Sequence, residues 1–209
     1  DELFTYPWAA TSSNGDVFLI VRNDGPSSRH ESQWFFHWDN TNDTWTAEKI
    51  YYKEWYNAYM SHISADDNNN IHIATAWSKY HDGVTTFQKG TYMRYDVSAK
   101  KFYKADNTDV TASIPIAHDA PEADVFYLNL IPWATDKDDD DTEEIQTPRV
   151  TVNAAGNPVV SYGKSQDNGM GDLWDVQIDA WNGSSWIRTE NIVTNVNQYA
   201  KTDITFTDG

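Results

Sequence analysis

The chain has 209 residues, 39% of them hydrophobic and 14% aromatic, with 15 basic against 32 acidic side chains and a formal net charge of −17. That is ample material for a folded core, and the acidic excess repels nucleic-acid phosphates and anionic membrane surfaces, so neither is expected as a partner. With no cysteine there is no disulfide framework and no thiolate metal site, and no apolar run is long enough to cross a membrane as a helix.

The chain opens at Asp1 without a signal segment, as expected of a processed or truncated polypeptide. Its first unit begins inside an inner strand at Tyr6 to Thr11, turns at Ser13-Asn14-Gly15 and continues as DVFLIVR, an apolar run expected to be buried on both faces. The loop RNDGPSSRHE and the strands SQWFFHWD and WTAEKIYY complete it near Tyr52. The second unit runs through Ala58 to Ser64, the polar turn Asp66 to Asn70, IHIATAW, the loop SKYHDGVTTFQKG, TYMRYDV and KFYKA. An extra segment follows from Asp109 to Thr147, with one strand-like piece, DVFYLNLIPW, and the acidic run DKDDDDTEE. That run reads as a solvated loop, since a calcium site would need alternating oxygen ligands and a turn glycine that it lacks. The third unit starts at Thr147 with TPRVTVNAAGNPVVSYG and runs to about Glu190; a fourth begins at Tyr199 and stops on its turn glycine. The units therefore divide as 1–57, 58–146, 147–198 and 199–209.

The units are copies. When Gly15, Asn69 and Gly156 are superposed, Trp8, His62 and Arg149 share one position, and Asn69 is a residue that tolerates the same left-handed turn as glycine. Each copy then carries two aromatics around a short polar turn: Trp38 and Trp45, Tyr95 and Phe102, Trp181 and Trp186. Two hairpins per unit at a spacing of roughly 50 residues indicate an all-β propeller of four-stranded antiparallel blades, without amphipathic helices. About three blades cannot close a ring, because the first and last would leave open edges, so the remaining blades are expected from the rest of the polypeptide or from another chain. An all-β sandwich of short strands is the alternative fold; it does not explain the long repeat.

In a propeller the innermost strands line the channel, which sets Trp8, His62 and Arg149 at one level around a common axis. An imidazole beside a guanidinium makes a site for an anionic group with an acid or base next to it. The alternative is that Arg149 pairs with a structural carboxylate and that His62 is a hydrogen-bonded channel residue. His81 follows the second strand of its blade, in a loop at one mouth, and is otherwise an exposed histidine. Tyr127, flanked by apolar residues, reads by default as core. No G-x-S-x-G elbow and no cysteine nucleophile occur.

The blade pattern G-x-[IV]-h-[IL]-x-[YW], the paired aromatics, and above all KFYKADNTDVTASIPI followed by TPRVTVNAAGNPVVSY resemble the BNR-repeat seven-bladed propeller lyases, and among them the ulvan lyases of polysaccharide lyase families 24 and 25. The resemblance covers nearly the whole chain in blade pattern, and part of a full propeller. Its order of histidine, histidine, tyrosine and arginine falls on His62, His81, Tyr127 and Arg149, the last two separated more widely here by the acidic insertion. It implies a secreted or periplasmic enzyme, of bacterial and possibly marine source, that cleaves an anionic, uronic-acid-containing and sulfated polysaccharide by β-elimination. Arg149 would neutralise the uronate carboxylate, His62 or Tyr127 would serve as base, and the other or His81 as acid. Trp8, Tyr59 and Trp77 could stack on sugars, core packing being the favoured role of Trp77, while Arg22 and Arg29 could meet sulfate or carboxylate. No cofactor is required for this chemistry, and a structural metal is left open. The competing functions are a non-catalytic propeller that binds glycans or proteins, and a sialidase-like glycoside hydrolase that would need an arginine cluster and an acid pair from further blades.

Overall fold

Three antiparallel sheets follow one another along the chain, of which the computed structural model describes residues 3–25, 31–54, 56–78, 89–128, 145–165, 173–189 and 192–197. The first sheet sets β1 (Phe4–Thr11), β2 (Val17–Asn23), β3 (Ser32–Asp39) and β4 (Thr44–Tyr52) side by side in chain order. The second sets β5 (Asn57–Ala65), β6 (Asn70–Ser78) and β7 (Lys89–Asp96) in the same way, and its outer edge is made of two pieces, β8 (Lys101–Tyr103) and β9 (Asp124–Leu128), both paired with β7. The third repeats that plan with β10 (Ile145–Val152), β11 (Pro158–Ser165) and β12 (Leu173–Trp181), edged by β13 (Trp186–Arg188) and β14 (Val193–Asn197). Among the described residues the only helical element is a 3-10 turn at Thr111–Ser113. The chain is thus all-β, built of propeller blades four strands deep. Arg29, His81, the acidic run at 136–144 and the residues from 198 onward lie outside the described residues.

The inner hairpins are set by their turns. In each, the amide of the first turn residue bonds the carbonyl four residues on, and the amide of the fourth bonds back to the first: Ser12, Asp66 and Asn153 open the three turns and Asp16, Asn70 and Asn157 close them. The fourth residue has positive φ every time, 88° at Gly15, 59° at Asn69 and 77° at Gly156, as a tight turn between twisted strands demands. Identical turns enforce identical registers. Trp8 pairs with Ile20, His62 with Ala74 and Arg149 with Ser161, so the three residues occupy one repeat position in space as in sequence. The outer aromatics are cross-strand partners, Trp38 with Trp45, Tyr95 with Phe102 and Trp181 with Trp186, their rings 6.4, 4.8 and 5.8 Å apart.

One expectation changes. The strand-like piece ahead of Thr147 is not an addition outside the blade: β9 completes the outer edge of the second sheet, with Tyr127 opposite Gly90 on β7. A side chain at Gly90 would collide with the Phe126 ring, so this glycine makes room for the returning strand.

Successive sheets pack face to face. Between the first and second lie Phe18, Ile20, Ile50, Ile71, Ile73 and Trp77, each at 0% exposure, with Phe35 and Met93 beside them. Burial of each large aliphatic side chain is worth about 1.5–3 kcal/mol. Between the second and third lie Ala74, Tyr92, Phe126, Tyr127, Val150, Val160 and Tyr162. Strand β6, with a neighbour on either side, is buried throughout from Asn70 to Trp77, whereas β2 alternates buried and half-buried residues. The expectation that DVFLIVR is buried on both faces therefore holds in part: Phe18 and Ile20 on one face and Val21 on the other are buried, while Val17, Leu19 and Arg22 are half-buried. The other face of the first sheet presents a half-buried aromatic row, Trp34, Phe36 and Trp38, with the exposed Phe4 and Trp45 alongside.

Candidate functional site

The N-terminal ends of β1, β5 and β10 meet at one mouth of this assembly. Each of the three strands departs from regular pairing there: the register shifts between Thr5 and Trp8, between Ala58 and Met60, and between Gln146 and Arg149. In the first and third copies the irregularity forces a non-glycine residue into the left-handed region immediately before a proline, Tyr6 at φ 52° before Pro7 and Thr147 at φ 50° before Pro148. Such positions cost about 1–3 kcal/mol each and persist only where the surroundings hold them. They turn the following residues toward a cleft of about 230 Å³, walled by Tyr6, Pro7 and Trp8 from β1, Met60 and Ser61 from β5, and Thr147, Pro148 and Arg149 from β10.

The three repeat-equivalent residues touch. The Arg149 guanidinium lies 4.2 Å from the centroid of the Trp8 ring, and the His62 imidazole meets the same indole edge-on at 4.7 Å. Arg149 is 6% exposed and donates from Nη1 to its own neighbour's carbonyl, Pro148 O, at 2.9 Å. His62 Nδ1 accepts the amide proton of Val150 at 3.2 Å, so the imidazole of the second blade is tied to the inner strand of the third. A buried cation on an aromatic face beside an imidazole is an arrangement suited to binding an anionic group and to moving or donating a proton near it.

A second group extends the wall. Arg22 stacks between the rings of Tyr6 and Tyr59, at 4.8 and 4.7 Å from their centroids, and its Nε meets Asp24 Oδ1 at 2.7 Å. The two tyrosine hydroxyls lie 3.1 Å apart. Burial, together with the hydrogen bond to Tyr6, pushes the Tyr59 hydroxyl up to about 12, so it stays protonated and serves as a donor. Trp8 thus lines the cleft, and Arg22 and Tyr59 stand against its neighbour Tyr6. Trp77 does neither: it is fully buried, with Nε1 donating to Thr91 Oγ1 at 2.9 Å and its ring edge-on to Tyr51, so it offers no face to a sugar and its role is packing. Tyr127 is 1% exposed in the core between the second and third sheets, against Tyr162 and beneath the Arg188 guanidinium, and does not line the cleft. His81 is outside the described residues.

Sequence reading missed three contributors. Tyr6 and Thr147 could have been found, because the dipeptides Tyr6-Pro7 and Thr147-Pro148 fall at the same repeat position. Glu31 gave no such signal: it is 6% exposed, its Oε2 meets no hydrogen-bond partner among the described residues, and burial pushes its carboxyl up to about 7 despite the nearby Arg22.

A family model described as a BNR repeat-containing family member matches residues 1–193. Among solved structures, a PL25 ulvan lyase superposes with a TM-score of 0.71 at 14% identity, over 95% of this chain and 45% of that one. A PL25 ulvan lyase bound to -[GlcA(1-4)Rha3S]- gives 0.69 at 14% identity, with the same coverage. The polysaccharide lyase Uly1 gives 0.55 at 14% identity over 99% of this chain and 53% of that one. The inulosucrase of Halalkalicoccus jeotgali bound to kestose gives 0.51 at 9% identity over 96% of this chain and 56% of that one. The chain spans about half the length of each of these proteins, and at such identities the likeness is one of fold. No curated protein sequence matches it significantly.

Proposed function

The chain belongs to the BNR repeat-containing family, and from that premise we propose that it is part of a secreted or periplasmic polysaccharide lyase that cuts a uronic-acid-containing, sulfated polysaccharide by β-elimination. The observation that carries the reading is the contact of Arg149 and His62 with one indole at the mouth of the inner strands. In the reaction a base removes the proton from C5 of the uronate, the electron pair forms the C4–C5 double bond, the C4–O bond breaks, and an acid returns a proton to the departing oxygen. Negative charge grows on the carboxylate as the proton leaves, and a cation already in place there lowers the barrier most. Arg149, which lines the cleft against the Trp8 ring, would take that task. It supplies the positive charge itself, so the scheme calls on no cofactor. His62 and His81 are the candidates for the proton transfers, Tyr127 being held in the core away from the cleft, and the Tyr6–Arg22–Tyr59 wall would receive a neighbouring sulfate or sugar.

Further blades, from the rest of the polypeptide or another chain, would cover the aromatic outer face of the first sheet and supply remaining site residues. The half-buried row of Trp34, Phe36 and Trp38 supports this, being the kind of surface that the other sheets bury between them. The test is ultraviolet absorbance. Mixed with a glucuronate polymer such as ulvan, the protein should generate the absorbance of an unsaturated uronate, and Arg149→Ala should not. Binding of the polymer without that absorbance would turn the reading toward a glycan-binding module.

A further inference from the structure

We infer that Gln33, a residue of the first blade, is the positioning residue for one wall of the mouth: its side-chain amide holds open the bulge of β5 that sets Tyr59 against Arg22 and Tyr6. The inference rests on the reading of the mouth as the place where a polysaccharide is held, and it assigns the residue that shapes part of it.

All three inner strands bulge at the mouth, by two different means. In β1 and β10 the means is local: a left-handed residue followed by proline, Tyr6-Pro7 and Thr147-Pro148, which regular pairing does not tolerate. The same repeat positions of β5 hold Met60 and Ser61, and among the described residues of β5 none has positive φ. Yet β5 bulges all the same: Ala58 pairs with Trp77 and Met60 with Ala76, which leaves Tyr59 as the extra residue. Nothing in this stretch forbids regular pairing, and closing the bulge would turn the residues on its N-terminal side to the opposite face.

What holds it comes from the neighbouring blade. Gln33 Nε2 donates to Ala58 O at 2.7 Å and to Tyr59 O at 3.3 Å. Two carbonyls facing one side-chain amide are met only by its NH2 group, which fixes the orientation of the amide. Gln33 is 1% exposed and Ala58 is fully buried, so water has no access to replace the donor. The donor is also not a general feature of the blade. Gln33 lies opposite Arg22, and the equivalent pairs are Gly90 opposite Ala76 and Val176 opposite Gly163, neither with a side-chain donor. The second blade, followed by a strand with its own proline, has glycine at this position; the first, followed by a strand without one, has glutamine.

The bulge is pinned on its other side as well, where the Ser61 and Thr75 hydroxyls lie 2.6 Å apart and Met60 and Ser61 line the cleft. Between these two fixed points Tyr59 meets Arg22 at 4.7 Å and Tyr6 at 5.4 Å between ring centroids, with the two hydroxyls 3.1 Å apart. A wall shared by two blades is thus set by a third residue that touches neither its cation nor its hydroxyls.

The placement can be read without any substrate, by fluorine NMR of protein labelled with 3-fluorotyrosine, using Tyr6→Phe and Tyr59→Phe to assign the two signals. Gln33→Met keeps the volume and removes the donor, so it should shift both signals and leave those of Tyr92 and Tyr162, in the core between the second and third sheets, in place. Unmoved Tyr6 and Tyr59 signals, or shifts spread over all the tyrosines, overturn the inference. Gln33→Glu restores a donor only when protonated; its two signals should lie close to those of the unaltered protein at about pH 5 and depart from them as the carboxyl ionises against the two carbonyls. Signals displaced alike at about pH 5 and 8 overturn it. On a glucuronate polymer, Gln33→Met should raise KM about tenfold and leave kcat within about twofold, because the wall holds substrate and does not touch the reacting atoms. Added to Tyr59→Ala it should change KM little further; additive losses would show Gln33 acting by another route and overturn the inference. Absence of unsaturated product from the unaltered protein would count against the lyase reading alone, and the tyrosine signals would still decide the role of Gln33.

Discussion

The two ends of the inner hairpins are built on opposite rules. At the turn end the three copies use the same hydrogen bonds and the same left-handed fourth residue, and the polar groups buried there are paired. Asp16 bonds His37 Nε2 at 3.0 Å and the amide of Asn40, and Asp66 bonds His72 Nε2 at 3.1 Å, with Tyr92 bonding the other ring nitrogen at 2.7 Å. At the mouth the same repeat position holds a tryptophan, a histidine and an arginine, two of the strands carry strained residues before proline, and Glu31 is buried with one oxygen unpartnered among the described residues. A repeat that only had to stack would have no reason to differ at one end. The turn end fixes register, and the mouth departs from the repeat around the cleft to which the proposed function assigns the chemistry.

The sharpest way to break this comparison is Arg149→Lys. It keeps the charge and loses the planar fork, so turnover on a uronate polymer should fall on the order of a hundredfold or more, while the melting temperature stays within about 2 °C. A destabilised variant with normal activity per folded molecule would make Arg149 a structural residue and erase the distinction. The converse experiment is His72→Ala at the turn end. It strips the buried Asp66 carboxylate and the Tyr92 hydroxyl of their shared partner, at a cost of about 3 kcal/mol or roughly 10 °C, and should leave turnover per folded molecule unchanged. The pair also carries a pH signature: although burial opposes it, the hydrogen bonds of His72 and Asn70 hold Asp66 at about 2, below its ordinary 3.8. Its contribution is therefore complete above about pH 4 and is lost as pH falls toward 2.

How far each end could be read in advance follows from the range of the interactions. The turns were legible because Gly15, Asn69 and Gly156 satisfy a local backbone demand, and once they are aligned the position of Trp8, His62 and Arg149 follows from strand geometry. The outer edge of the second sheet was not legible, because β9 pairs with β7 only after β8, the 3-10 turn and a long excursion, and nothing local in DVFYL names its partner. Trp77 looked like a candidate for sugar stacking because an aromatic at the end of an apolar strand reads alike whether it faces a channel or a core; its neighbours Tyr51 and His118 come from other parts of the chain. The cation–π contact of Arg149 with Trp8 likewise joins the first blade to the third, and only the repeat register made it foreseeable.

The smallest effect expected is also the one that separates the two ends most cleanly. Glu31 sits at the start of β3, on the mouth side, where burial raises its carboxyl from an ordinary 4.5 to about 7, Arg22 partly offsetting the shift and Asp24 adding to it. An acid whose folded value is raised binds more protons folded than unfolded, so stability falls as pH climbs from about 4.5 to 7 and is level above that. Glu31→Gln removes the titration and keeps the shape. Its melting temperature should match that of the unaltered protein near pH 4 and exceed it above pH 7, by about 1–2 kcal/mol or roughly 2–6 °C once screening by water at the mouth is allowed for. This is the reverse of the Asp66 signature, whose loss comes on acidification. If the melting curves of Glu31→Gln and the unaltered protein run parallel from about pH 5 to 8, the carboxyl is solvated or paired, and the mouth holds its buried acid no less comfortably than the turn end holds Asp16 and Asp66. If they diverge with rising pH, the strain at this end includes a charge as well as the two left-handed residues, and the mouth carries a buried acid able to yield or keep a proton beside Arg22.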